Sequence, residues 1–181
     1  MTLTRKCFGT LIGLSHVRHQ LPADTIVPIV NALVISHVRY CLPVYGNCTQ
    51  KNIGYIQKVI NFAARVISGR RKYDHVADVR DALGWLSAAD LSSHDTLVLL
   101  HKVIDTGKPA AIAGMFHRNE EMRERVTRQS SNLSLPSIRT EAGRRRFCYR
   151  AAMQYNGLPA DLQGMTTSHF KSSLKRHLML R

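Results

Sequence analysis

The chain has 181 residues, of which 26 are Lys or Arg and 12 are Asp or Glu, so its formal charge at pH 7 is +14. Hydrophobic residues make up 44% of the chain and charged residues 21%, an ordinary balance for a folded protein, which excludes wholesale disorder. No apolar run approaches the roughly 20 residues that cross a bilayer, so a membrane-spanning protein is excluded as well. A positive excess of this size predicts a polyanionic partner, nucleic acid first and an anionic membrane surface second.

The first 41 residues predict two helices. Apolar positions at helical spacing predict a short helix over 4–19, which the sequence Gln-Leu-Pro at 20–22 ends. A second, largely buried helix is predicted from Asp24 to Cys41, because apolar residues recur there every three or four positions. His37 falls on this apolar stripe and is interpreted as a partly buried core histidine.

The most regular helical pattern follows a predicted loop over 43–50. Its apolar positions are spaced alternately three and four residues apart, and Gly69 supplies the residue type that ends helices. These positions are Ile53, Ile56, Ile60, Ala63 and Ile67. The spacing predicts an amphipathic helix that ends at Gly69.

Two further helices are predicted before residue 110. Asp74 is placed to cap a helix that runs through Ala82. Ser87 and Asp90 have the spacing of a capping box, which predicts that a long helix begins there and ends at Gly107. Residues 1–110 are therefore expected to form one helical bundle.

The remainder of the chain has a looser pattern. Residues 111–132 are mostly polar and predict a linker or an exposed helix, and alternation around Pro136 predicts a short strand or hairpin near 133–138. Helices are predicted over 144–155 and 168–180, within a basic C-terminal subdomain at 133–181. The predicted fold class is mainly α, a helical bundle followed by a looser helical tail.

The positive charge is concentrated in two segments. Residues 1–72 contain ten basic residues and one acidic residue, and 111–181 contain thirteen and five, whereas 73–110 contain three and six. Lys51, Lys58 and Arg65 are seven residues apart and share one helix face, at a rise of about 10.5 Å per step. The stripe continues into Arg70, Arg71 and Lys72. Such a row can contact a phosphate backbone, although a solvated helix face is the alternative interpretation.

Two more basic clusters lie near the C-terminus and are the remaining candidates for nucleic-acid binding. They consist of Arg144, Arg145 and Arg146, and of Lys171, Lys175 and Arg176. Nuclear import is another interpretation of these clusters. Attachment of 168–181 to anionic lipid is disfavoured, because its apolar face is narrow.

The acidic and metal-ligating residues do not form a catalytic pattern. Two-metal nucleotidyl transfer needs at least two carboxylates on one metal pair, whereas Asp74, Asp78 and Asp81 are interpreted as helix charges and ion-pair partners. His16 and His19 lack a third nearby ligand for zinc. The sequence therefore predicts no catalytic residue, no metal site, no cofactor and no enzyme activity for this chain.

The cysteines and the N-terminal sequence indicate the cellular compartment of the protein. The four cysteines are expected to be free thiols, as in a reducing compartment, and the polar residues of the first twenty interrupt a signal-peptide core. We therefore expect an intracellular protein, in the nucleus or the cytoplasm, that is not secreted.

Four sequence blocks, in order, resemble the region downstream of the palm in reverse transcriptases of jockey-like non-LTR (LINE) retrotransposons. They are LVISHVRYCLPVYG at 33–46, IQKVINFAARVISG at 56–69, LGWL at 83–86, and YNGLP at 155–159 with SHFKSSLK at 168–175. The second block is the most specific, being similar to the family's pattern LQ-x-x-Q-N-x-A-x-R-x-I-x-G. Tyr45 and Tyr155 stand where the family usually has tryptophan.

The resemblance implies a thumb-and-tail fragment of an RNA-directed DNA polymerase. Residues 29–69 would then be thumb helices that grip RNA, DNA or an RNA–DNA hybrid, with Lys58 and Arg65 as candidate backbone contacts. The catalytic palm, with its Mg²⁺ and its Phe/Tyr-Ala-Asp-Asp motif, would be a missing partner. The alternative is a stand-alone helical protein-interaction module with incidental basic charge. The oligomeric state stays open.

Overall fold

A computed structural model describes residues 2–122 and 130–180, and these residues are mainly α-helical without a strand. This confirms the predicted fold class. The helices, in chain order, are α1 (Thr2–Val17), α2 (Ala23–Val30), α3 (Ser36–Arg39), α4 (Leu42–Tyr45), α5 (Gln50–Ser68), α6 (Ala77–Ala82), α7 (Ala88–Thr106), α8 (Ala110–Ala113), α9 (Asn119–Met122), α10 (Glu141–Arg144), α11 (Phe147–Asn156), α12 (Ala160–Gln163) and α13 (Thr167–Met179). A 3₁₀ turn at Arg18–Gln20 extends α1, and a π-helical segment at Asn31–Ile35 joins α2 to α3.

The chain divides into two compact units. The first unit comprises 1–42 and 48–91, and the second comprises 43–47 and 92–181. Both boundaries of the predicted three-part division, after 110 and after 132, lie inside the second unit. No helix among the described residues is both long enough and apolar enough to cross a membrane.

The first unit packs α1 and the helical stretch 23–39 against α5. Its fully buried side chains come from all three segments and include Leu11, Val30, Val34 and Val59. The predicted helices over 4–19 and 24–41 are thus confirmed, but the second is buried on one side only. His37 is exposed, so its interpretation as a core histidine was wrong, because Val34 and Val38 occupy the buried side of that turn.

The helix α5 follows its predicted pattern. Four of the five predicted apolar positions are buried, and Ile67 is only partly covered. The helix ends at Gly69, which has a φ of +69° and whose N–H bonds to the Arg65 carbonyl. This left-handed residue is the predicted C-cap.

The two predicted caps have opposite outcomes. The Ser87 hydroxyl accepts from the Asp90 N–H over 3.1 Å and donates to the Asp90 carboxylate over 2.5 Å, so Ser87 caps α7 at the predicted position. Asp74 does not cap α6, which begins at Ala77 after Val76. Its carboxylate instead accepts from the Arg71 N–H over 2.8 Å, closing a turn between α5 and α6.

The second unit is centred on α7, α11 and α13. Phe170 and Leu174 are fully buried and Leu178 nearly so, which confirms the predicted apolar face of the last helix. The predicted strand near 133–138 is wrong: Leu133 forms one isolated antiparallel bridge with Arg118, and no strand follows. Pro136 has no N–H with which to extend a ladder. Part of the predicted polar segment 111–132 forms α8 and α9, and its residues 123–129 lie outside the described part.

Candidate nucleic-acid interface

The first unit has an open cleft of about 1060 Å³ between α1, α5 and the turn that follows α5. Its lining contains no carboxylate side chain among the residues that the structure describes. Basic side chains come from all three segments: Arg18, His19, Lys58, Arg65, Arg70 and Lys72. A concave surface lined by one sign of charge raises the local concentration of the opposite charge, here an anion.

Apolar and aromatic side chains line the same cleft as these basic residues. The rings of Phe8 on α1 and Phe62 on α5 have centroids 5.8 Å apart. Ile12 is half exposed, and Tyr73 is 83% exposed on the turn after α5. The cleft therefore combines positive charge with ring faces, the two properties on which proteins rely to bind nucleic acid strands.

Arg18 fixes the corner where α1 meets the end of α5. Its Nε donates to the Val66 carbonyl over 2.7 Å and its Nη2 to the Ile67 carbonyl over 3.0 Å. Carbonyls in the last turn of a helix have no partner within the helix, and a cation there also interacts favourably with the helix dipole. Arg18 therefore caps α5 with its side chain.

The close approach of Arg18 explains why a glycine ends α5. A Cβ added to Gly69 would lie 2.7 Å from Cζ of Arg18, a distance at which the guanidinium would have to move. Gly69 also has the left-handed backbone that side chains disfavour. Both the turn and the guanidinium thus require glycine at this position.

Arg65 and Arg70 hold the turn that forms the opposite wall. Nε and Nη2 of Arg65 donate to the Asp74 carbonyl over 3.1 and 2.9 Å. The guanidinium of Arg70 donates to the His75 carbonyl and forms a bidentate pair with Asp78. The hydrogen bond from Arg70 lowers the pKa of the Asp78 carboxyl. The protein thus fixes the geometry of both arginines. Arg65 contributes positive charge to the cleft, whereas Asp78 offsets the charge of Arg70.

The two lysines of the cleft are placed differently. The Nζ of Lys58 lies 5.4 Å from the ring centroid of Tyr55, and that of Lys72 lies 5.3 Å from the ring centroid of Tyr73. Both lysines are exposed, and a cation–π contact at an exposed site contributes only about 0.5–1 kcal/mol. Their ammonium groups are therefore free to turn toward a bound anion.

The structure brings together four of the predicted binding residues and separates the others from them. Lys58, Arg65, Arg70 and Lys72 line the cleft, whereas Lys51 and Arg71 are exposed outside its lining. The predicted stripe is thus divided: Lys58 and Arg65 line the cleft, Arg65 is also bound to the following turn, and Lys51 lies outside the lining.

The remaining predicted residues are in the second unit and are all exposed. Arg144, Arg145 and Arg146 lie at the end of α10 and before α11, and Nε of Arg145 is 3.7 Å from the Glu141 carboxylate. Lys171, Lys175 and Arg176 lie on the solvent side of α13, opposite Phe170 and Leu174. Neither cluster contributes a side chain to the cleft of the first unit.

Sequence reasoning missed Arg18 and His19 as parts of the site. They precede the α5 residues they approach by nearly fifty positions, and no local pattern reports a contact at that separation. Phe8 was missed for the same reason, whereas Tyr73 was missed although it directly follows the predicted residue Lys72. The only indication in the sequence was that Arg18 and His19 lie at the end of the first predicted helix.

In the most specific sequence block, residues that are four positions apart on one side of α5 make contacts that stabilise the fold. Gln57 donates to Asn61 over 2.8 Å and accepts from the Ala88 N–H, an otherwise unpaired donor at the start of α7, over 2.7 Å. Arg65 and Gly69 follow on the same side of α5, with the roles described above. This side of the helix therefore organises the first unit.

Potential metal ligands are dispersed in the described part of the chain, where His, Cys, Asp and Glu side chains form no group of three that could hold an ion. We find no family model, curated protein or solved structure that matches this chain. The cleft is therefore interpreted from its own chemistry.

Proposed function

We propose that this chain binds nucleic acid through the cleft of its first unit and α5, and that it derives from the thumb and tail of a jockey-like non-LTR retrotransposon reverse transcriptase. The observation that carries the binding proposal is a cleft lined by six basic side chains and three aromatic rings, with no carboxylate side chain among the described lining residues. The derivation from a reverse transcriptase depends on the four sequence blocks alone.

In this proposal the residues divide into two roles. Arg18, Arg65 and Arg70 hold the wall, Arg18 and Arg65 also supply fixed positive charge, and Lys58 and Lys72 contact phosphates directly. Each phosphate contact releases condensed counterions, which makes the affinity fall as salt rises. Polymerisation, with its Mg²⁺, belongs to a palm that would be a separate part of the parent enzyme. The chain alone is proposed to have no enzymatic activity.

Fluorescence anisotropy with labelled RNA, DNA and RNA–DNA hybrid tests the proposal across about 50 to 200 mM salt. We expect binding whose log–log salt slope is negative. Lys58→Ala is expected to lower the magnitude of that slope by about 0.7 to 0.9, the loss of one phosphate contact. Lys51→Ala removes the same charge from the same helix outside the cleft, and its effect is expected to be clearly smaller.

Three outcomes would contradict the proposal. Absence of binding to all three nucleic acids would refute the function itself, and equal effects of the two lysine variants would refute the cleft as its location. Templated primer extension by the purified chain would refute the assignment of catalysis to a separate palm.

A protein-interaction module is the second candidate. It is favoured by exposed apolar side chains on the first unit outside the cleft, among them Leu33, 46% exposed, and Tyr40, 76% exposed. A soluble monomer that binds no nucleic acid would support this candidate instead.

A further inference from the structure

We infer that the cleft binds a single-stranded segment, with an unpaired base stacked on Tyr73 and the adjacent phosphates on Lys72 and Lys58. This inference rests on the proposed nucleic-acid function and specifies which form of nucleic acid the cleft takes.

The exposed ring of Tyr73 is the first argument for a single strand. Lys72 lies over the ring at 5.3 Å, yet the side chain is 83% exposed, so a broad ring surface remains open to solvent. In a duplex the bases stack on each other and hide their faces, whereas a single strand presents them. Stacking on aromatic side chains is the usual way in which proteins hold unpaired bases.

The second argument is the arrangement of charge around the ring. Lys72 is adjacent to Tyr73 in sequence, and Lys58 and Arg65 line the same cleft from α5. A base on Tyr73 would therefore have its own phosphates close to mobile ammonium groups. Arg18 and Arg70 cannot follow the strand, because their guanidinium groups are bound to backbone carbonyls.

The size of the cleft is the third argument. Its volume of about 1060 Å³ is at the upper end of the roughly 300–1000 Å³ typical of small-molecule pockets. It is open along one side and lined by side chains from three segments, which suits a few consecutive nucleotides. Its apolar wall of Phe8, Ile12 and Phe62 would be covered by bases and not by a hydrated duplex backbone.

The test compares four ligands of matched length on the full chain by anisotropy. They are an oligothymidylate of about a dozen nucleotides, the same strand with abasic sugars, a DNA duplex and an RNA–DNA hybrid. We expect the oligothymidylate to bind more tightly than either duplex. The abasic strand keeps every phosphate but no base, and it is expected to bind about 5- to 100-fold more weakly.

Substitutions at Tyr73 test whether the unpaired base stacks on this ring. Tyr73→Ala is expected to weaken binding of the oligothymidylate about 5- to 100-fold and to leave the abasic strand unaffected, whereas Tyr73→Phe keeps the ring and the affinity. Tyr40→Ala is the matched control, because Tyr40 is 76% exposed on the same unit outside the cleft. It is expected to bind as the wild type does.

The outcomes separate this inference from the proposed function. Binding of duplex as tightly as of single strand, or equal effects of Tyr73→Ala and Tyr40→Ala, would overturn the single-strand inference and leave nucleic-acid binding intact. Binding of the abasic and base-carrying strands with the same affinity would do so as well. Failure to bind any of the four ligands would overturn both.

Discussion

The two units contain the same kinds of side chain but arrange them in opposite ways. In the first unit, basic side chains and aromatic rings line an open cleft, and its two lysines are exposed to solvent. In the second unit, His101 is buried and stacked on Phe170, with ring centroids 3.9 Å apart and planes 8° apart. Its Nδ1 lies 3.1 Å from the Tyr155 hydroxyl and its Nε2 lies 2.8 Å from the Met165 carbonyl.

The two units differ in whether their hydrogen-bonding side chains are available to a ligand. Both ring nitrogens of His101 have hydrogen-bond partners within the protein. Burial raises the pKa of the Tyr155 hydroxyl, which is bonded to this ring. His94, also buried, has its Nδ1 2.9 Å from Asp95 and its Nε2 3.2 Å from the Lys171 carbonyl. The buried histidines of the second unit therefore have their partners inside the protein, whereas the lysines of the cleft in the first unit are exposed.

The strongest test of this comparison is His101→Ala. The substitution removes a buried ring and leaves the Tyr155 hydroxyl and the Met165 carbonyl without their partner, which we expect to cost about 3 kcal/mol of unfolding free energy. The melting temperature should fall by about 6–12 °C in a thermal scan. His117→Ala, at a side chain 52% exposed in the same unit, is the control and should change stability by less than about 0.5 kcal/mol. Equal effects of the two substitutions would show that the buried cluster does not stabilise the second unit.

Gly69→Ala tests whether the cleft depends on a fixed corner. The left-handed backbone costs an alanine about 1–2 kcal/mol, and the new methyl group would also displace the Arg18 guanidinium from the carbonyls that it caps. We expect a total loss of about 2–3 kcal/mol in denaturant unfolding. Gly107→Ala is the matched control, since Gly107 has a φ of +66° and nothing within 4 Å of an added Cβ. Gly107→Ala should lower the free energy of unfolding only by the cost of the left-handed backbone. A decrease as large as that of Gly69→Ala would exclude a role for Arg18.

The smallest effects are expected at the Arg70–Asp78 pair on the rim. Because the pKa of Asp78 is lowered in the folded state, its ionisation stabilises the fold above the unfolded pKa of about 3.9, and this contribution is lost as the pH falls through the folded pKa. In Asp78→Asn the loss of stability below about pH 4 should therefore be shallower. The variant also leaves Arg70 unneutralised and should bind single strands about two- to fivefold more tightly.

Asp81→Asn is the control for the rim pair, because it changes the net charge equally on the same helix away from the cleft lining. Acid unfolding followed by circular dichroism and anisotropy at low salt give the two measurements. Identical acid profiles and affinities for the two variants would show that the pair acts through overall charge alone.

Much of the architecture follows from sequence alone, because it is set locally. The helix from 50 to 68 was predicted from the three- and four-residue spacing of its apolar side chains, and its end from Gly69, since burial of one face and a left-handed C-cap are both encoded by neighbours in sequence. The Ser87 capping box was predicted for the same reason. The cap predicted at Asp74 was wrong, because its carboxylate accepts a hydrogen bond from the Arg71 N–H and not from α6.

The sequence by itself also determined the helical character of this chain and its large positive charge. Only the tertiary structure decided which basic side chains lie together. It placed Arg18 against the end of α5, bound Arg65 to the following turn, and divided a stripe that the helix period alone had joined. The physical reason is that a basic side chain has similar local preferences whether it caps a helix, holds a turn or faces solvent, and only its distant neighbours distinguish these roles.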